Sequence, residues 1–233
     1  MVRLSKRLQT VASFVTPGNT VADVGCDHAH TGIFLVQAGI SPRVIAMDLR
    51  KGPLELAKEN VLREGTEERI ELRLSDGLDK LAAGETDTVL ISGMGGPLIL
   101  EILKKNIQKA LAAKELVLSP QSDLEGFPEG LRNLGFEIGK TGIVKEDDKF
   151  YFVFRACPIE NGENRSTVKE CERTFPVPEP AEVWTEYLEK EKEIKRRVLK
   201  KLEADNGEKA SLRRGELYND IRRIEDEINR MRN

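Results

Sequence analysis

The segment Val21-Ala-Asp-Val-Gly-Cys-Asp-His-Ala-His-Thr-Gly32 is the most informative indicator of the fold of this chain. It begins as a short apolar run, which predicts a strand, and it ends in a turn that contains Gly25. A helix-like stretch, TGIFLVQA at 31–38, follows at once. A strand, a tight turn and a helix start in this order present backbone N–H groups to a ligand.

The position of Asp23, just before Gly25, indicates the charge of the ligand that this turn can bind. A dinucleotide site would place a pyrophosphate here, and a carboxylate would repel it. A carboxylate suits a cation instead, such as the ammonium group of S-adenosylmethionine. The G-x-G-x-x-G pattern is also incomplete, because only Gly25 and Gly32 are glycine, and this argues against an NAD-dependent oxidoreductase.

Outward from this stretch, strand and helix patterns alternate. Strands are predicted at 20–23, 43–48, 70–74, 86–91, 115–119, 136–144 and 149–156. Helices are predicted at 4–15, 31–38, 53–64, just after Gly77, 98–111 and 124–134. This alternation predicts a doubly wound, mostly parallel α/β sheet, and the last two strands predict a hairpin with an antiparallel strand at one edge. The pattern is typical of Rossmann-like class I methyltransferases, whose ligands lie at the carboxyl ends of the strands.

The composition changes after Pro158, so we predict a first domain over 1–158 and a polar, proline-containing linker over 159–180. Residues 181–233 contain two segments with heptad-like apolar spacing, joined by a turn at 205–207. These predict an antiparallel helical hairpin, or coiled coil. The spaced positions are Tyr187, Glu191, Ile194, Val198 and Leu202, then Leu217, Ile221, Ile224, Ile228 and Met231.

The bulk composition limits the partners and the compartment. The 37 Lys and Arg against 40 Asp and Glu give a net charge of −3, so any nucleic-acid contact must come from local patches. Three scattered cysteines fit a reducing cytoplasm rather than a disulfide framework or a zinc site. We expect no signal peptide and no membrane span, since no run approaches ~18–20 apolar residues. The oligomeric state stays open, with a monomer favoured.

Acidic residues occupy equivalent places in three successive strand–helix units. Asp23, Asp48 and Asp76 each sit where a strand meets its loop, so all three should face one rim of the sheet. Their chemistry fits S-adenosylmethionine: Asp23 near the ammonium, Asp48 with Leu49 near the ribose, and Asp76 or the Gly77 backbone near the adenine. The alternative is that these acids merely cap the helices that follow.

Two further features lie on the same predicted rim. The loop Ser92-Gly-Met-Gly-Gly96 predicts Gly93 and Met94 beside the methyl donor, with Gly95 and Gly96 open to a bulky base; it could also be only a packing turn. His28 and His30 are the two histidines of the chain, and each could contact a ligand or belong to a plain polar loop. A metal site would need a third ligand, so none is predicted.

Four motifs occur in a recognisable order: Leu4-Ser-Lys-Arg-Leu8, Asp23-Val-Gly-Cys-Asp-His-Ala29, Gly93-Met-Gly-Gly96 and Asp148-Lys-Phe-Tyr151. Together with the terminal hairpin they resemble the bacterial tRNA adenine N1-methyltransferases that modify adenine 22. The resemblance implies a Rossmann-like domain that binds S-adenosylmethionine, a C-terminal coiled coil and tRNA as the substrate.

If the resemblance holds, N1 of adenine can attack the methyl group directly, because its lone pair is free at neutral pH. We then expect Asp27, assisted by His28, to stabilise the cationic product or to take a proton later. Adenine 22 would have to be extruded from the folded tRNA. Candidate tRNA contacts are Arg7 and the cluster Lys195-Arg-Arg197, although the cluster could also be a solvated coiled-coil face. Rival hypotheses are a methyltransferase of a small molecule or protein, and a non-catalytic RNA-binding scaffold.

Overall fold

A computed structural model describes residues 1–159, 178–203 and 207–232. Most of the predicted linker and the residues Asp205 and Asn206 of the predicted turn lie outside this part of the chain. The chain divides into two compact units, Met1–Pro176 and Val177–Asn233.

The first unit is built on a seven-stranded sheet with the order β3-β2-β1-β4-β5-β7-β6. The strands are β1 Val21–Val24, β2 Val44–Asp48, β3 Ile70–Leu74, β4 Thr88–Ser92, β5 Glu115–Ser119, β6 Phe136–Glu146 and β7 Lys149–Pro158. The first five pair in parallel, and β7 pairs antiparallel with both β5 and β6. The predicted doubly wound, mostly parallel fold is therefore confirmed.

Helices follow the strands as predicted, with small shifts at their ends. In the first unit they are α1 Lys6–Ser13, α2 His30–Gln37, α3 Lys51–Arg63, α4 Gly96–Lys105, α5 Ile107–Leu111 and α6 Phe127–Asn133. Every residue of β1, β2 and β5 is buried, because helices cover both faces of a parallel sheet of this kind. The sheet therefore holds the loops at its carboxyl ends on a rigid base.

Three details of the prediction were wrong. The antiparallel strand β7 is not at the edge: the chain crosses from β5 through α6 to the edge position β6, and the hairpin then returns inward. The helix predicted after Gly77 is a run of turns. The Ser75 hydroxyl donates to the Gly77 carbonyl and accepts from the Lys80 N–H, and these side-chain bonds compete with those of a helix. The helix predicted over 98–111 is broken at Asn106, whose side-chain amide donates to Asp79.

The second unit is a pair of helices, α7 Ala181–Leu202 and α8 Glu208–Arg232. The spacing predicted for α8 is confirmed, because Leu217, Ile221 and Ile228 are buried. On α7 the predicted phase was wrong by about one residue, except at Leu202, which packs against Leu199, Leu217 and Ile221. Leu188 and Leu199 are buried, whereas Ile194 and Val198 are exposed, and the positions between the two leucines hold Lys192 and Lys195.

Candidate functional site

A cavity of about 500 Å³ opens at the carboxyl ends of the parallel strands. It lies where β1 and β4 are neighbours but their loops lead away from each other, the usual ligand position in a doubly wound sheet. Eleven predicted site residues line it: Arg7, Asp23, Gly25, Asp27, His28, Asp48, Leu49, Asp76, Gly77, Gly93 and Met94.

The loop after β1 is held by backbone bonds in an unusual conformation. Gly25, Asp27 and Ala29 all have positive φ, at 73°, 51° and 58°. Positive φ is strained for a residue with a Cβ, so it persists only where the surroundings enforce it. The N–H groups of Gly25 and Cys26 both donate to the Met47 carbonyl, at 2.8 and 2.9 Å. These bonds tie the loop to the end of β2 and aim it into the cavity.

Asp23 is a buried carboxylate in the cavity wall. Its side chain is only 3% exposed, and its Oδ2 has no hydrogen-bond partner among the described residues. Burial, together with the nearby Asp48 carboxylate, raises the pKa of Asp23 to about 7, although a hydrogen bond from the Gly32 N–H acts in the opposite direction. A buried carboxylate oxygen without a donor is costly, and a cation placed in the cavity would remove that cost.

Asp48 ends β2 and is also buried, but its oxygens are partly used. Oδ1 accepts from the Arg50 N–H at 2.9 Å, and Oδ2 accepts from the Asp27 N–H at 3.3 Å. A carboxylate has about four acceptor positions, so Asp48 can still accept hydroxyl donors from a ligand. Next to it, Leu49 is 65% exposed and offers an apolar surface at the cavity wall.

Asp76 lies on the predicted rim, but Lys105 already binds it. The Lys105 ammonium donates to Asp76 Oδ2 and to Asp79 Oδ2, both at 2.8 Å. Gly77, with a φ of 54°, follows directly, and a Cβ there would lie 2.8 Å from Ile102. The ion pair leaves the backbone at Gly77 as the less encumbered contact for a ligand.

Asp27 and His28 form a polar pair at the cavity mouth. Their side chains are 59% and 40% exposed, and His28 Nε2 lies 3.4 Å from Asp27 Oδ2. The Asn60 amide donates to the His28 carbonyl at 3.0 Å and fixes the loop from α3. His30 lies beside them, and desolvation, followed by the charge of His28, lowers its pKa. The pair therefore supplies an exposed carboxylate next to a group that can exchange protons.

Arg7 reaches the cavity from α1. Its Nη1 is buried and has no hydrogen-bond partner within residues 1–159 and the two later described ranges. Its guanidinium carbon lies 5.3 Å from the centre of the Tyr151 ring, which is a cation–π distance. Tyr151 follows the hairpin turn between β6 and β7, so three distant parts of the chain meet here.

The glycine-rich loop after β4 is held by the end of β5. The Gly93 N–H donates to the Ser119 carbonyl at 3.2 Å, and the Gln121 N–H donates to the Met94 carbonyl at 2.9 Å. Gly95 and Gly96, which were predicted to face a base, start α4 and do not line the cavity. A Cβ on Gly96 would lie 2.6 Å from the Ser122 carbonyl oxygen, so this glycine serves close backbone packing.

The predicted contacts on the hairpin are all paired with acids. Lys195 binds Asp220 at 3.1 Å, Arg196 binds Glu225 at 2.6 Å, and Arg197 binds Glu193. These pairs neutralise much of the positive charge that suggested an RNA contact.

Several cavity residues were not singled out from the sequence: Leu8, Ser92, Leu98, Ile102 and Gln121. Leu8 and Ser92 lie inside motifs noted in the sequence, but they were not assigned to the site. Leu98, Ile102 and Gln121 lie far along the chain from the Asp23 loop, and for Gln121 the available signal was its place after a strand end. In the part of the chain described here, no group of three His, Cys, Asp or Glu side chains could hold a metal ion. None of the described helices is long and apolar enough to cross a bilayer.

Comparison with known proteins gives a consistent result. Residues 4–154 match the family described as "Methyltransferase domain". The curated tRNA (adenine(22)-N(1))-methyltransferase of Bacillus subtilis strain 168 is 36% identical over 155 residues, which are 66% of this chain. The match spans 65% of that relative's own length.

Solved structures extend the likeness to the whole chain. A Streptococcus pneumoniae protein described as a putative tRNA (m1A22) methyltransferase has a TM-score of 0.83 at 31% identity, over 97% of this chain and 100% of that one. Its complex with S-adenosyl-L-methionine has a TM-score of 0.79 at 30% identity, with 97% and 100% coverage.

Proposed function

We propose that this chain, which belongs to the tRNA (adenine(22)-N1)-methyltransferase family, transfers a methyl group from S-adenosylmethionine to N1 of adenine 22 in tRNA. The observation that carries the proposal is the buried Asp23 oxygen, which finds no hydrogen-bond donor in the described structure and borders a cavity of about 500 Å³. That volume lies within the range of small-molecule sites, roughly 300–1,000 Å³.

The residues at hand fit this methyl donor. Asp23 would hold its ammonium group, and the free acceptor positions of Asp48 would take the ribose hydroxyls. Leu49 and Leu98, which are 65% and 48% exposed, offer apolar surface to the adenine. Gly77 would contribute its backbone. When bound, S-adenosylmethionine supplies a methyl group on a positively charged sulfur.

The protein's part in the reaction is alignment and charge stabilisation. Gly93 and Met94 lie between the Asp23 side of the cavity and the end of β5, so they would guide the base toward the donor. N1 would give its lone pair to the methyl carbon as the carbon–sulfur bond breaks and its electron pair stays on the sulfur, so no proton would leave and the base would become a cation. Asp27 lies exposed at the mouth, where its carboxylate would stabilise that charge, with His28 as a proton partner.

Arg7 is the main candidate for a tRNA contact, because its buried guanidinium nitrogen is a donor suited to a phosphate. The hairpin residues Lys195, Arg196 and Arg197 are weaker candidates because each is paired with an acid. We propose a cytoplasmic monomer.

The test is methylation of an unmodified tRNA transcript with labelled S-adenosylmethionine, followed by mapping of the modified nucleoside. The proposal predicts N1-methyladenosine at position 22, and no transfer to a transcript with guanine there. Methylation of free adenosine or of a protein would favour another substrate, whereas absence of donor binding would favour a scaffold.

A further inference from the structure

Gln121 places a side-chain amide at the cavity wall. Its backbone is fixed by the hydrogen bond from its N–H to the Met94 carbonyl, at 2.9 Å. Its side chain lines the cavity, and no hydrogen bond to it is found within residues 1–159, 178–203 and 207–232. Gln121 is exposed, so its amide is solvated in the ligand-free protein and can exchange water for hydrogen bonds to a ligand.

Gln121 lies on the acceptor side of the cavity. It follows β5, and β4 separates β5 from β1, which carries Asp23; β2 with Asp48 lies one strand farther away. The groups proposed to hold the methyl donor are therefore on the other side of Gly93 and Met94. Gln121 therefore lies on the side of the cavity that these groups leave open for the target base.

A second group with unused hydrogen-bonding capacity meets the amide at Gly93. A Cβ on Gly93 would lie 3.6 Å from Arg7 Nη1 and 3.8 Å from Gln121 Nε2, so both side chains border the space above this glycine. Arg7 carries only donors, which match the two acceptors N7 and O6 of guanine better than the N7 acceptor and N6 donor of adenine. Gln121 differs because it presents a donor and an acceptor side by side.

We infer that Gln121 selects and orients the target adenine by a bidentate contact, with Nε2 donating to N7 and Oε1 accepting from the exocyclic N6 amine. Adenine presents an acceptor at N7 and a donor at N6, and Gln is a matched partner for that edge. Guanine presents acceptors at both places, so Oε1 would face an oxygen. The contact occupies the N6/N7 edge and leaves N1 free to point at the methyl group. This inference rests on the proposed function.

The experiment compares two tRNA transcripts, one with adenine at position 22 and one with 7-deazaadenine, which lacks only the N7 acceptor. Wild type, Gln121→Met and the control Gln108→Met are each assayed for kcat/KM, since Gln108 is exposed on α5 and does not line the cavity. Binding of S-adenosylmethionine, measured by calorimetry, verifies that each variant is folded.

Wild type should lose about 10-fold to 100-fold in kcat/KM on the 7-deazaadenine transcript, and Gln121→Met should lose a similar factor on adenine. Removing both partners should cost little more than removing one, because they form a single contact. Gln108→Met should match wild type on both transcripts.

Three results would overturn the inference. Wild-type kcat/KM within twofold on both transcripts, or Gln121→Met with normal activity on adenine, would reject the Gln121 contact and leave the proposed function standing. No methylation of the adenine transcript by wild type would reject the proposed function and this contact with it.

Discussion

Asp23 and Glu115 are two buried carboxylates at opposite ends of one sheet, 3% and 4% exposed. Glu115 starts β5, and its oxygens accept from Thr16 (backbone and hydroxyl), from the Asn19 amide and from the Thr88 hydroxyl, at 2.6–3.3 Å. Asp23 lies near the end of β1, and the described residues offer its Oδ2 no donor. Burial alone therefore does not mark a ligand site: the fold supplies hydrogen-bond donors to Glu115, whereas it supplies none to Asp23 Oδ2 within the described residues.

The largest expected effect is on ligand binding at Asp23. Asp23→Asn removes the charge that would pair with the donor's ammonium in a desolvated site, so the Kd for S-adenosylmethionine should rise at least ~30-fold. Thermal stability of the ligand-free protein at pH 8 should stay constant or rise, because an unpaired buried charge is removed. Calorimetry and thermal denaturation measure the two effects. An unchanged Kd would show that Asp23, like Glu115, does not hold the ligand.

The matched substitution Glu115→Gln, at the other end of the sheet, should lower the stability of the protein and leave ligand binding intact. Glu115→Gln places an amide donor opposite the groups that now donate to Glu115, so unfolding should become easier by about 1–3 kcal/mol. The affinity for S-adenosylmethionine should stay within twofold of wild type. A variant of normal stability, or one that has lost the ligand, would show that Glu115 is not the structural counterpart proposed here.

Asp23 should make both the stability of the protein and its affinity for the methyl donor depend on pH. Since the pKa of Asp23 is raised from 3.8 to about 7, the folded protein binds more protons than the unfolded chain between these values. Its contribution to the stability of the ligand-free protein is thus complete below about pH 4 and is lost as the pH rises through 7. The donor needs the ionised carboxylate, so its affinity should fall about fivefold from pH 7 to 6 and about tenfold from 6 to 5. A flat profile would contradict the raised pKa.

The smallest effects should come from the hairpin, where charges are exposed. Lys200 and Lys201 have no ion pair within the described ranges, unlike Arg196 and Arg197. Reversing both lysines to Glu should weaken tRNA binding a few-fold and reduce the slope against salt by about two. Reversing both arginines should do less, because acids already neutralise them. Filter binding at several salt concentrations provides the comparison, and equal affinities throughout would place the RNA contact elsewhere.

Features that depend on residues close together in the sequence were predicted, whereas features that depend on contacts between distant segments were not. The strands and the rim position of Asp23 and Asp48 followed from local patterns, because the carboxyl ends of parallel strands meet at one edge. The missing donor at Asp23 and the meeting of Arg7 with Gln121 depend on contacts between distant segments, which no spacing rule encodes. The α7 phase failed because lysines occupy buried-seam positions, while a neighbouring apolar stripe containing Ile194 stays exposed.

The most direct measurement is the number of protons released when S-adenosylmethionine binds. Calorimetric titrations at pH 6, in two buffers of different ionisation enthalpy, give this number. With the pKa of Asp23 at about 7 in the free protein, the ammonium should displace about one proton from its carboxyl group, in wild type and in Glu115→Gln alike. Binding with no proton release in wild type would contradict the claim that the incomplete carboxylate of Asp23 holds the methyl donor.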